Sequence, residues 1–196
     1  MSAHSDLYQG VSRIAWSYLF SLLNINLGTL NILPNWVAFV LLYGALNLLA
    51  DQEPELLLLK PFCILLGTWA AVQWVGQIFG WSPSFYPLDL IIQVISLYFY
   101  FQLLTNLAHL AARYGGEALS GRILRLRTAQ ILLDTFTAVY LYVASGRTGI
   151  SIPGEALGLS LGILLVAGLI LMISIMSALF KLRGCFQGAD LPDEAP

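Results

Sequence analysis

Charge is the scarcest property of this sequence. Only 10 % of its 196 residues are charged, while 58 % are hydrophobic; an ordinary soluble domain carries about 25 % charged residues. So few charges cannot cover a soluble globule, and the mean hydropathy of +0.78 has the same cause. Cysteine and histidine are almost as rare, with two of each. Cys63 and Cys185 lie far apart without a CxxC, so they are expected to be structural thiols rather than a disulfide or a metal pair. No HxxxH, HExxH or Cys/His set is present, and no metal or cofactor is implied. GxSxG, phosphate-cradling glycine loops, paired intramembrane glutamates and Cys/His nucleophile pairs are missing too, so a non-enzymatic protein is expected. A formal net charge of −2 without basic-aromatic interleaving implies no nucleic-acid partner. The first apolar run lacks a basic n-region and a small-residue cleavage site, so it is expected to be retained.

What the chain does have is long apolar runs, at 12–30, 34–50, 57–79, 86–110, 128–145 and 155–180. A bilayer core about 30 Å thick takes roughly 20 apolar residues per helix. A transmembrane barrel would instead alternate in segments of about 10 residues. The expected fold is therefore an all-α integral membrane protein, a bundle of about six transmembrane helices in a lipid bilayer. The first segment is short or broken, because Asn24 to Asn35 holds four asparagines, Gly28 and Pro34, residues that favour turns. A variant with 12–50 as a re-entrant hairpin plus a helix has five spans. Pro34 suits the first position of the second helix. Polar links are expected at 51–55, 80–87, 113–127 and 145–149. Residues 1–183 read as one domain, followed by an acidic, disordered tail over 184–196.

Basic residues set the orientation, because cytoplasmic loops retain Lys and Arg. Six spans with both termini cytoplasmic place Arg13, Lys60, Arg113, Arg122, Arg125, Arg127, Lys181 and Arg183 inside, and only Arg147 outside. Trp16, Trp36 and Trp81 fall near span boundaries, where interfacial aromatics belong.

Asp134 is the most informative single residue. It sits about two turns inside the fifth span, where a carboxylate costs on the order of 2–3 kcal/mol and needs a partner or water. Arg127, Gln130 and Thr137 share its helical face. The fourth span offers Tyr98, Gln102, Thr105, Asn106 and His109 on its cytoplasmic half, facing the same hairpin. This group is either a structural polar clamp or a ligand or proton-coupling site. A second polar group lies on the outer half: Trp69, Gln73 and Gln77 on the third span, Asp89 and Gln93 on the fourth, with Arg147 and Glu155 nearby. These form either a pocket for a small polar ligand or polar support for the broken first segment.

The last span carries Gly154, Gly158 and Gly162 at four-residue steps. Ala156, Ser160, Ala167, Ser174 and Ala178 line another face. Small residues let backbones approach closely in lipid, so this helix is expected to be central, clamped between two neighbours. Homo-oligomerisation or a membrane protein partner is the other use of that face.

The stretch from Ile25 through Gly28, Pro34 and Asn35 to Gly44 and Leu46 resembles a pattern in uncharacterised small polytopic membrane proteins of Gram-positive bacteria. It covers about the first quarter of the chain. Where those proteins carry Pro-Asp and Gly-Tyr, this one has Pro34-Asn35 and Ala38-Phe39. The resemblance implies a bacterial plasma membrane and brings no activity with it. Size and span number are also similar to the substrate-binding subunits of energy-coupling-factor vitamin transporters, without a vitamin-specific motif. The expected role is binding or transport of a small solute or ion, Asp134 coupling and the outer amides binding. The alternative is a non-catalytic interaction subunit that packs through the glycine face.

Overall fold

The computed structural model describes residues 3–22, 26–27, 30–31, 34–80, 86–145 and 153–186. Arg147, Trp81 and the tail beyond 186 lie outside them, as does half of the Asn24–Asn35 stretch. Helix α1 (Ala3–Leu22) buries Leu7, Val11, Ile14, Ala15 and Tyr18, a stripe at helical spacing, and turns Arg13 outward. A two-residue antiparallel ladder, β1 (Asn26–Leu27) with β2 (Leu30–Asn31), reverses the chain into α2 (Trp36–Leu49). Pro54 opens a 3-10 turn (Pro54–Leu59) that runs directly into α3 (Lys60–Ile78). Helices α4 (Tyr86–Tyr114), α5 (Glu117–Ala144) and α6 (Gly154–Cys185) complete the chain.

Each helix packs on the next, and α6 closes back on α1, so the six helices form a ring. The tightest seam is α1 on α2. A Cβ added at Gly10 would lie 2.7 Å from Cγ of Leu49, and one added at Gly44 would lie 2.7 Å from a guanidinium nitrogen of Arg13. Between α4 and α5 only Gly115 and Gly116 are non-helical. Gly116 has φ +83° and ψ 162°, a backbone region open essentially to glycine alone.

The core lies at one end of the ring. Leu46, Leu49, Leu56, Leu107, Leu110, Leu179, Leu182 and Phe186 are fully buried there. That end joins the start of α1 to the ends of α2, α4 and α6. Towards the other end α4, α5 and α6 expose Leu90, Val94, Leu132, Phe136, Leu159, Ile163 and Ile170. Apolar surface on this scale marks contact with a membrane or a partner.

Three rods are long and apolar enough to cross a membrane: Pro54–Ile78, Pro87–Tyr114 and Gly154–Cys185. The other three do not meet that standard. Helix α2 has 14 residues, about 21 Å at 1.5 Å per residue. Helix α1 is amphipathic, and α5 carries Glu117, Arg122, Arg125, Arg127 and Asp134.

Two sequence expectations are corrected. The supposed polar link over 113–127 is helix apart from the two glycines, because Leu119, Ile123 and Leu126 continue an apolar stripe onto the core. And α6 is not clamped along its glycine face. Among the described residues, nothing lies within 4 Å of a Cβ added at Gly154, Gly158 or Gly162. Its buried contacts come instead from Ile175, Ala178, Leu179 and Leu182, at the packed end.

Candidate functional site

The short α4–α5 turn holds these two helices antiparallel, so early α4 residues stand opposite late α5 residues. Beyond the packed core they line a groove of about 780 Å³. Asp89 and Gln93 line it from α4, and Asp134, Thr137, Ala138 and Tyr142 from α5. The volume falls within the 300–1,000 Å³ range of small-molecule pockets.

Asp134 is half-buried in the groove wall and its polar neighbours are neutral. The Gln130 amide, one turn back on the same helix, lies beside its carboxylate. The Oε1 of that amide in turn accepts a 3.4 Å hydrogen bond from the phenol of Tyr18 on α1. Tyr18 is buried, and its ring lies 5.8 Å from that of Tyr100 on α4. Ser21 of α1 lies near Tyr100 and donates its hydroxyl to the carbonyl of Ser17 at 3.0 Å. Tyr18 thus joins α1 to α5 by a hydrogen bond and to α4 by a ring contact, beside the groove. Beyond Asp134, Tyr140 of α5 is hydrogen-bonded to Ser160 of α6.

Arg127 does not join Asp134. Its guanidinium donates to the Thr105 hydroxyl at 2.8 Å and stacks over Phe101 at 4.2 Å. A cation over an aromatic face gains electrostatic attraction while shedding water, which favours α4 over the carboxylate two turns away. Among the described residues the ion pair is Arg113 with Glu53, at 3.0 Å and not aligned as a hydrogen bond.

The Arg127–Thr105 contact sets the level of the two helices, so Asp134 lies opposite position 98. His109, eleven positions further along α4, is then about 16 Å away along the axis, and it is exposed. Asn106 is buried in the core, its amide donating to the carbonyl of Gln102 while its Oδ1 is unpaired. Gln102 is half-buried. Neither Asn106 nor His109 reaches the groove.

The outer group divides as well. Asp89 and Gln93 share the groove with Asp134. Trp69 is half-buried on α3, with Gln73 and Gln77 exposed, and none of these three lines it. The two polar clusters expected on opposite halves are therefore regrouped. Tyr18, Tyr100 and Tyr142 join the site without having been singled out in the sequence. Tyr18 carried one usable signal, a hydroxyl on the otherwise apolar buried stripe of α1.

The cysteines are both free. Cys63 is buried with its thiol directed at the Phe39 carbonyl, and Cys185 is exposed. Among the described residues no group of three His, Cys, Asp or Glu is placed to hold a metal ion. Comparison with protein-family models, curated proteins and solved structures finds no match for this chain.

Proposed function

We propose that the chain is a non-enzymatic, six-span bacterial plasma-membrane protein that binds and moves a small solute or ion through the α4–α5 groove. Asp134 is the coupling group in this reading. One observation carries it: a half-buried carboxylate on the wall of a 780 Å³ groove, beside the Gln130 amide that Tyr18 holds, with Arg127 turned away. A carboxylate kept only as a clamp gains most from a cationic partner; this one faces space a solute can occupy. The titratable groups around it are Tyr18, Tyr100 and, further along the groove, Asp89 and Tyr142.

Both termini are cytoplasmic in this arrangement. Support comes from contacts that gather basic residues at the packed end: Arg113 with Glu53, and Arg183 stacked on Tyr8 at 5.2 Å. Uptake into proteoliposomes at graded pH tests the role. Wild-type protein should show pH-dependent uptake and Asp134→Asn should lose it while staying folded; unchanged uptake would sink the assignment.

A second reading has its own observation. The open glycine face of α6 suits close packing against another membrane helix, a second copy or a partner subunit. Gly158→Cys should then form a specific interchain crosslink, and a thiol that crosslinks to nothing removes this reading.

A further inference from the structure

The groove has a charge character that narrows its occupant. Its formally charged lining residues are Asp89 and Asp134, both acidic, and among the described residues no Lys, Arg or His lines it. Most of the remaining wall is apolar, including Leu90, Ala138 and Leu141, with the Tyr142 ring at the same end as Asp89.

Spacing decides between kinds of cation. With Asp134 opposite position 98, Asp89 lies nine positions along α4, about 14 Å at 1.5 Å per residue. A Ca²⁺ or Mg²⁺ ion takes its oxygen ligands at about 2.0–2.6 Å, so the two carboxylates cannot share one metal ion. Nor do the described lining residues offer Asp134 a surrounding cage of oxygens. A small hydrated ion would give up its water here for little return. A cation whose charge is spread over an apolar body is weakly hydrated, gains from the apolar wall, and meets Asp134 as its counter-charge. An anion of the same shape meets two carboxylates instead.

We infer that the α4–α5 groove takes organic cations with an apolar body, Asp134 holding the charge and Asp89 drawing it in. This rests on the reading of the groove as a solute site.

Tetraphenylphosphonium and tetraphenylborate are suitable probes, because they match in shape and differ in sign. Calorimetry on the intact, detergent-purified chain is expected to give saturable phosphonium binding at least tenfold tighter than borate binding. Asp134→Asn should weaken the phosphonium at least tenfold and leave the borate unchanged. Asp134→Glu, which keeps the charge, should retain most of the affinity and covers the case in which the asparagine variant does not fold. Asp89→Asn should slow association in a salt-dependent way. Equal affinity for the two probes, or phosphonium binding that survives Asp134→Asn, overturns the inference.

Failure of the underlying reading has a different signature. Ala138→Trp fills the groove. If a neutral or anionic solute binds and this variant abolishes it, the groove is a site and only the cation preference is wrong. If no probe binds and filling the groove changes no transport, both readings fall.

Discussion

Tyr18 and Gln130 stand 112 positions apart, yet the phenol of one donates a 3.4 Å hydrogen bond to the amide oxygen of the other. Gln130 is thereby oriented: its oxygen faces α1, and its NH₂ is left for Asp134. An amide has one acceptor end and one donor end, so Tyr18 in effect selects which end Asp134 meets.

Tyr18→Phe should therefore do two things. It leaves a part-buried amide oxygen without its donor, which costs about 1 kcal/mol or less for so long a hydrogen bond. It also frees Gln130 to turn over. A lowered thermal midpoint in detergent, with weaker solute binding at Asp134, is the expected pair of results. Tyr18→Phe that leaves both unchanged would show that Gln130 is held by its own helix alone.

Arg113→Ala is expected to destabilise more than Glu53→Gln. The Glu53 side chain is 7 % exposed and that of Arg113 55 %, so removing the arginine strands a buried carboxylate, whereas removing the glutamate's charge leaves a cation in water. The first should cost about 1–3 kcal/mol and the second less, given screening on the arginine side. Denaturation of the two single variants and the double variant checks the order.

Gly10→Val and Gly158→Ala form a contrasting pair. At Gly10 the new Cβ meets Leu49 at 2.7 Å, and wedging α1 from α2 should cost about 1–3 kcal/mol. At Gly158 the space is open, and alanine should raise helix stability by about 0.5–1 kcal/mol. A Gly158→Ala variant that instead loses stability, and loses it only where oligomers form, would point to another chain on that face.

Gly116→Ala tests the turn that sets the groove. With φ at +83°, a Cβ there should cost about 1–3 kcal/mol. Because the same turn positions α4 against α5, probe binding should fall along with stability. Loss of stability with unaltered binding would separate the turn from the site.

Cys185 reports orientation without any substitution, since it is exposed and Cys63 is buried. With a cytoplasmic C-terminus, a membrane-impermeant maleimide should label it in inverted vesicles and not in intact cells. Labelling in intact cells would reverse the topology.

Much of the helical layout was readable from composition and hydropathy. The runs at 57–79, 86–110 and 155–180 correspond to the three rods able to cross a membrane. Segment ends were less readable where polarity and helix formation diverge. Residues 117–127 are charged and helical together, since their apolar stripe of Leu119, Ile123 and Leu126 still packs on the core.

The site was only partly legible. Asp134 stood out because a carboxylate in an apolar run is costly wherever it points. Its pairing with Gln130 followed from the four-residue offset within one helix. Arg127 shares the same face by periodicity, but its long side chain found Thr105 and Phe101 on the neighbouring helix, and no spacing rule sees across helices.

The sequence by itself determined that this chain buries little charge, forms long apolar helices and carries an acid inside one of them. Those are properties of each segment and its solvent, summed residue by residue. Only the tertiary structure decided that Asp89 and Asp134 face one groove, that Tyr18 supports it from the far end of the chain, and that the glycine face of α6 stands open. Each depends on which helix lies beside which. That is set by close packing at Gly10 and Gly44 and by the positive-φ turn at Gly116, not by the polarity of the residues that end up facing each other.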